Sequence, residues 1–355
     1  MSAVADRLPG ASARRLSPRT ALALGGALLL AAALAGSASG AYPISPAQLW
    51  GVLAQALGGS GTSPEYLVFM NIRLPRLLLG IAAGAGLGLS GALMQGLFRN
   101  PLADPGLIGV SSGAALAAGV AIVVGSRWFP DLPRALGSWT LVVMAFGGGL
   151  GVTVLIYALA QSQGTTRMGL MLLAGIAVNA LAGAGLGWLS FLASDEQLRS
   201  LQFWLLGSLG GARWSAVALV GVAVAVAAVA GLRLARPLNA IALGEAQAAL
   251  LGVPVESVKR RAVLVCALAV GAVTATTGIV GFVGLIAPHW VRLVAGPDHR
   301  VVLPGAALLG GALVLVADAV ARTVVQPAEL PLGVLTALIG VPVFLLMLRH
   351  FRSSV

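Results

Sequence analysis

Residues 76–97 read RLLLGIAAGAGLGLSGALMQGL. A helix needs about 20 mainly apolar residues to cross the hydrocarbon core of a bilayer, and this run supplies them. Arg76 stands at one edge and Asn100-Pro101 lies just beyond the other. Nine more runs of this kind occur, at 20–36, 107–125, 139–160, 168–192, 214–232, 262–277, 281–295, 301–320 and 331–348. The expected fold is therefore all-α, a polytopic membrane protein with about ten transmembrane helices. The seventh and eighth runs are short and separated only at 278–280, so a single broken or re-entrant hairpin is an alternative there.

Composition agrees. Hydrophobic residues make up 58% of the 355 and charged residues only 9%, against about 25% charged in an ordinary soluble domain. With 22 Lys and Arg and 11 Asp and Glu, the chain cannot cover a soluble core of this size with a charged shell. Glycine, at 48 residues, is in excess, which suits helices that approach closely through small residues in lipid. The one cysteine, Cys266, lies in an apolar run and reads as core packing.

The net charge of +11 is scattered singly and in pairs between apolar runs, which argues against a nucleic-acid-binding face. It fits the positive-inside bias instead. With the N-terminus inside, Arg73, Arg76, Arg127, Arg134, Arg199, Arg213 and Arg322 fall outside and the other 15 basic residues inside. Arg14-Arg15, an Ala/Leu run and Ser37-Ala38-Ser39 also fit a cleavable signal peptide, and the second helix starts from outside either way.

Between the spans, residues 46–57 place Leu49, Trp50, Leu53 and Leu57 at helical spacing, predicting a helix on the outer surface. Residues 195–209 predict a second short outer helix. The inner stretch Asn100-Pro101-Leu102-Ala103-Asp104-Pro105 ends one helix and starts the next, with Asp104 as N-cap and Pro105 as first helical residue. Residues 239–261 form the longest inner loop. It reads as a short helix closed by Gly252 and Pro254, then a second opened by Glu256 with Lys259 and Arg260. This pair either rests on lipid headgroups or sets its Ala and Leu side chains into a groove on another protein.

Ionisable residues inside the spans are few. Asp318 and Arg322 are spaced for an intrahelical ion pair. His289 reads as an interhelical hydrogen bonder, and Asn179 faces either a pathway or a neighbouring helix. No paired buried carboxylates and no Asp/Glu/His relay are apparent, which weighs against an ion-coupled transporter. No G-x-x-x-x-G-K-[ST] loop is present, so ATP-driven transport needs a separate ATPase. No clustered Asp, His or Cys site suggests an enzyme.

Taken in order, several blocks are similar to one family. These are Arg73-Leu74-Pro75-Arg76, Gly91-Ala92-Leu93-Met94-Gln95, residues 100–105, Gly281-Phe282-Val283-Gly284-Leu285-Ile286-Ala287-Pro288-His289, and Gly296-Pro297-Asp298-His299-Arg300. Glu329-Leu330-Pro331-Leu332-Gly333 and Gly340-Val341-Pro342-Val343-Phe344 complete the set. They resemble the FecCD-type permeases for ferric siderophores, haem and cobalamin, from about Arg73 to the C-terminus.

The resemblance implies a type II ATP-driven importer of the bacterial inner membrane, with both termini cytoplasmic. It implies a homodimer of permeases, two cytoplasmic ATPase subunits that hold ATP and Mg, and a periplasmic substrate-binding protein. One permease domain then spans 1–355, with a cytoplasmic segment at 1–19 and a coupling loop at 239–261. The residues matching the ATPase-coupling loop are Glu245, Ala246, Ala249, Leu250, Gly252, Val255 and Glu256. Those matching the docking rim for the binding protein are Arg73, Arg76 and Arg322, and those matching the translocation pathway are Asn179, Arg199, Phe203 and Trp204. No catalytic residue, metal ligand or cofactor is expected on this chain. Residues 195–204 and 207–212 look most like the haem-transporting branch, with ferric siderophore and cobalamin as alternatives. A proton-coupled secondary transporter of the same topology is the rival from another class.

Overall fold

The structure, a computed structural model, describes residues 15–40, 45–58, 61–125, 137, 139–325 and 328–352. Arg7, Arg14, Arg127 and Arg134 of the charge bias lie outside the described residues, as does most of the 1–19 segment. Among the described residues there are fourteen α-helices and one two-stranded hairpin. In chain order they are α1 (Pro18–Ala38), α2 (Pro46–Gly58), α3 (Pro64–Leu97), α4 (Val110–Val123), α5 (Trp139–Leu159), the strands β1 (Gln161–Ser162) and β2 (Thr165–Thr166), and α6 (Met168–Leu192). Then come α7 (Asp195–Leu206), α8 (Trp214–Arg233), α9 (Ala235–Ala242), α10 (Glu245–Leu250), α11 (Val255–Thr277), α12 (Val283–Ala295), α13 (His299–Ala321) and α14 (Leu332–Arg352). The two ends of the bundle are called inner and outer after the charge bias.

Each of the ten apolar runs contains a helix, and six helices (α1, α3, α5, α6, α8 and α13) are long and apolar enough to cross a membrane by length and composition. The chain chemistry explains the ends. Ser17 accepts from the Thr20 amide at 3.2 Å, with Pro18 following as the first helical residue. Ser194 and Gln197 form a reciprocal capping box on α7, the short outer helix anticipated at 195–209.

The span read as starting at residue 76 begins earlier. Pro75 lacks an amide and its ring crowds the carbonyl four residues back, which normally breaks a helix. Here the turn over Phe69–Arg73 widens to π-helix and absorbs that clash, so α3 runs back to Pro64. Asp104 caps a single 3₁₀ turn, Pro105–Ile108, rather than the span itself. The α-helix restarts at Val110 after Gly109 takes the left-handed conformation (φ 81°).

Of the six helices long and apolar enough to cross, α3 and α13 are the most enclosed, and they pack along each other. A Cβ on Gly84 would run into the Gly310 carbonyl, one on Gly310 into the Gly84 carbonyl, and one on Gly88 into the Ala306 carbonyl. The glycines are thus required by backbone contact. Gly84→Val is expected to lower stability by about 3 kcal/mol through overpacking, read as a lower thermal midpoint in detergent. Gly221→Ala, with open space at the Cβ position, is the matched control and should be near neutral.

The seventh and eighth runs resolve into two separate helices. α11 begins at Val255, so the second short helix of the inner loop is its first turns rather than a separate element. After α11 the chain is irregular from Gly278 to Phe282, with positive φ at both ends (72° and 65°), and α12 has 13 residues, about 20 Å and too short to cross alone. Gly278 lies beside Gly207 at the end of α7 and Gly284 meets Leu87 and Gly91 in the inner half of α3, whereas Val294 accepts from the Leu16 amide beside the start of α1. The break therefore lies at membrane depth and α12 finishes the return to the inner end. The helix ends that flank the break find protein partners, as membrane depth requires: Gln95 Nε2 donates to the Gly284 and Leu285 carbonyls of α12 at 3.4 and 3.2 Å, and the Ser208 amide to Thr277 O of α11 at 2.7 Å.

Candidate functional site

At the outer end, five charged side chains from three parts of the chain close on one another. Arg76, on α3, places Nη2 2.9 Å from Asp318 on α13 and sends Nη1 and Nη2 to the two oxygens of Glu329, each at 2.8 Å. Arg322 reaches Asp318 through Nε at 3.0 Å, the i,i+4 pair read from the sequence. Its Nη1 and Nη2 donate to the Ser39 and Gly36 carbonyls, and Arg73 donates to the Ser37 carbonyl. The last carbonyls of a helix lack intrahelical donors and carry partial negative charge. Two arginines from α3 and the end of α13 thus cap the C-terminus of α1.

The three arginines matched to the docking rim by the family resemblance stand inside this network. Arg73 and Arg76 are buried, at 4% and 9% exposure, and all three guanidinium groups are engaged within the chain. The physical reason is that Asp318 has only 3% of its side chain exposed, and a carboxylate so placed must be paired. Glu329, half exposed, lies 253 residues from Arg76, and its carboxyl is held below the usual range by the Arg76 guanidinium. No local spacing links the two.

At the inner end, α9 is tied down by buried Leu238 and Ile241, and α10 by buried Ala248. α10 is bounded by Gly244 (φ 123°) and Gly252 (φ 80°). The Gly252 and Val253 amides return to the Ala249 and Ala248 carbonyls at 2.9 and 3.0 Å, a Schellman closure. This leaves Leu243, Leu250 and Leu251 projecting, at 68%, 89% and 67% exposure. Ala246, Ala249 and Gly252 are exposed beside them, and Val255 is half-buried.

Glu245 and Glu256, matched to the coupling loop by the family resemblance, are joined to each other inside the chain. Both bind Lys259, whose Nζ lies 2.7 Å from Glu245 Oε2, 3.0 Å from Glu256 Oε1 and 2.7 Å from the Thr166 carbonyl. The Thr166 amide donates to Glu256 Oε2 at 2.9 Å, and the Thr166 hydroxyl meets Tyr157 OH at 3.2 Å. Burial would raise the Glu256 carboxyl, but the bonds from Thr166 and Lys259 outweigh it and hold the carboxyl below the usual range. Lys259 itself is 2% exposed. Nearby, Asn239 bonds Asp298 at 2.7 Å and the His299 amide at 2.9 Å, locking α9 to the start of α13.

The four pathway candidates separate. Asn179 Oδ1 accepts from Ser112 Oγ at 2.5 Å and its Nδ2 donates to the Gly106 carbonyl at 3.2 Å, so its polarity is satisfied between helices. Trp204 packs beside Ala114, Ala118, Ala145 and Ala275. Arg199 and Phe203 are exposed and line one groove on α7 with Asp195 and Gln202. Residues to which the sequence reading gave no role are Gln95, which serves the first turn of α12, Thr166, whose carbonyl accepts from Lys259, and Tyr157, which meets the Thr166 hydroxyl. Gln95 was visible as a polar residue inside an apolar run; the other two carried no signal.

α6 and α14 present long unpaired apolar faces. Leu173, Ile176, Leu181, Trp188 and Phe191 are exposed on α6, and Leu338, Ile339, Leu345 and Leu346 on α14. Among the described residues no group of three or more His, Cys, Asp or Glu is placed to hold a metal ion.

A profile described as the FecCD transport family matches residues 27–350. The chain is 43% identical over 340 residues to the hemin transport system permease protein HmuU of Yersinia pestis, covering 96% of this chain and 98% of that protein. It is 44% identical over 279 residues to the cobalamin import system permease protein BtuC of Halobacterium salinarum, covering 79% and 72%. A solved structure, described as an inward-facing conformation of a metal-chelate type ABC transporter, superposes with a TM-score of 0.81 at 30% identity. That match covers 94% of this chain and 99% of that one.

Proposed function

The chain belongs to the FecCD transport family, and on that premise we propose that it is the membrane subunit of an ATP-driven importer that carries haem inward. The observation that carries the ATP-driven part is the inner loop. A helix of six residues is held rigidly by Ala248 and the Schellman closure, yet offers Leu250 to whatever lies beneath. An exposed leucine on a fixed short helix is suited to a groove on a partner protein, and in this reading the partner is one of two cytoplasmic ATPase subunits that hold ATP and Mg.

A second copy of the chain completes the pathway, meeting the first along the apolar faces of α6 and α14. Gly183 and Gly187 on α6 have open space at their Cβ positions, which permits close helix approach. The groove on α7 with Arg199 and Phe203 lies at the mouth of that pathway. A periplasmic binding protein docks on the outer end. With Arg73, Arg76 and Arg322 engaged internally, these arginines shape that surface through α1 and Glu329 more than by direct pairing. Transport proceeds by alternating access, the two ATPase states biasing the membrane halves toward one opening or the other.

Haem is preferred as cargo because the similarity to the Yersinia hemin permease extends over nearly the whole of both chains, whereas that to the Halobacterium cobalamin permease covers 72% of the relative. The test is uptake into proteoliposomes holding the permease, its ATPase and its binding protein, with haem, a ferric siderophore and cobalamin compared. ATP-dependent haem uptake is expected, with the other two at least about tenfold slower, a pocket-level discrimination. Preferential uptake of either of the others would overturn the haem assignment, and uptake by the permease alone under a pH gradient would overturn the ATP-driven one.

A further inference from the structure

We propose that Lys259 is the positioning residue through which movement of α10 is passed to α6. The inference rests on the reading of α10 as the ATPase-docking helix. Lys259 stands on the first turns of α11, is 2% exposed, and joins three elements through one ammonium group: α10 by Glu245, α11 by Glu256, and the β1–β2 hairpin by the Thr166 carbonyl. Glu256 holds the Thr166 amide with its other oxygen. The peptide groups on both sides of Thr166 are therefore gripped by the Lys259–Glu256 pair.

α6 starts at Met168, two residues beyond Thr166, and it is the long helix with the smallest buried share. Along the chain, α6 and α10 are separated by three intervening helices, α7, α8 and α9; through Lys259, α10 and the hairpin that leads into α6 are separated by one side chain. A buried ammonium shared among partners on different elements resists being pulled from any one of them, because each bond lost leaves charge without water or a partner. A push on Leu250 that shifts Glu245 therefore draws on the same charge that holds Thr166. Packing of Ala248 and Val253 alone would seat α10 without reaching the hairpin.

The experiment uses the full complex in proteoliposomes and reads three quantities: ATPase retained on the permease, stimulation of hydrolysis by loaded binding protein, and haem delivered per ATP hydrolysed. Lys259→Met keeps the aliphatic stem and removes the charge. It is expected to retain the ATPase while haem delivered per ATP falls about tenfold and stimulation by loaded binding protein is lost. Glu245→Gln removes only the arm to α10, at a half-exposed site, and is expected to give a smaller loss in the same ratio. Wild-type delivery per ATP in a folded Lys259→Met complex would overturn the proposal. Should that variant not fold, unchanged delivery per ATP in Glu245→Gln would overturn it equally. Retention of the ATPase by Leu250→Asp would instead overturn the docking reading, whatever Lys259→Met does.

Discussion

Asp318→Asn is expected to destabilise the protein by about 3 kcal/mol or more, the cost of removing one member of a buried ion network. Asp318 is the point where α3 and α13 are tied at the outer end. It receives Nε and Nη2 of Arg76 at 3.0 and 2.9 Å and Nε of Arg322 at 3.0 Å, with 3% of its side chain exposed. The amide cannot balance two guanidinium charges that have little water around them. Arg76 keeps Glu329, but Arg322 is left with the carbonyls of α1. The measurement is thermal unfolding in detergent or unfolding in mixed micelles. Arg76→Met should also destabilise, and the double variant should lose less than the sum, because the two removed charges belong to one network. A stable Arg76→Met protein that fails only to bind its binding protein would support the docking role implied by the family resemblance and overturn the stabilising one.

Leu250→Asp is expected to cost about 2 kcal/mol or more at the ATPase interface, a hot-spot loss equal to roughly 30-fold in affinity, and so to abolish uptake. The fold should be untouched, since Leu250 is 89% exposed and its neighbours Ala248 and Val253 do the packing. Pull-down of the ATPase by the tagged permease reads the loss, and circular dichroism with thermal unfolding verifies the fold. Leu243→Asp, also exposed but on the far side of Gly244, is expected to weaken association less. ATPase retention with normal uptake in Leu250→Asp would remove the coupling role of α10.

Much of the architecture was legible because lipid imposes a one-dimensional rule. Every backbone polar group at membrane depth must be satisfied within its own segment or by protein, so apolar runs of sufficient length betray the helices. Gly252 as the closing residue of α10, the 195–209 helix and the Asp318–Arg322 pair were legible too, since each depends on residues within a few positions of one another. Boundaries slipped where a local rule met a tertiary remedy. Pro75 should have started a helix and instead sits inside one, because a π-turn absorbs it. The start of α12 holds at membrane depth because Gln95, nearly 190 residues away in sequence, donates to the Gly284 and Leu285 carbonyls, the first of which Pro288 has no amide to serve.

The division is clearest at the two ends of the bundle. Sequence alone determined that this is a membrane-spanning helical chain without its own nucleotide loop, and that residues 239–261 form an ordered inner surface, because hydrophobic length, motif spacing and helix-end signals are local quantities. Only the tertiary structure decided what the charges do. Arg76 stood only at the outer mouth of a helix until Asp318 and Glu329 closed on it, and Lys259 only in the inner loop until Glu245, Glu256 and Thr166 surrounded it. An ionic group is placed by the balance between desolvation and pairing, and that balance is set by partners drawn from distant parts of the chain.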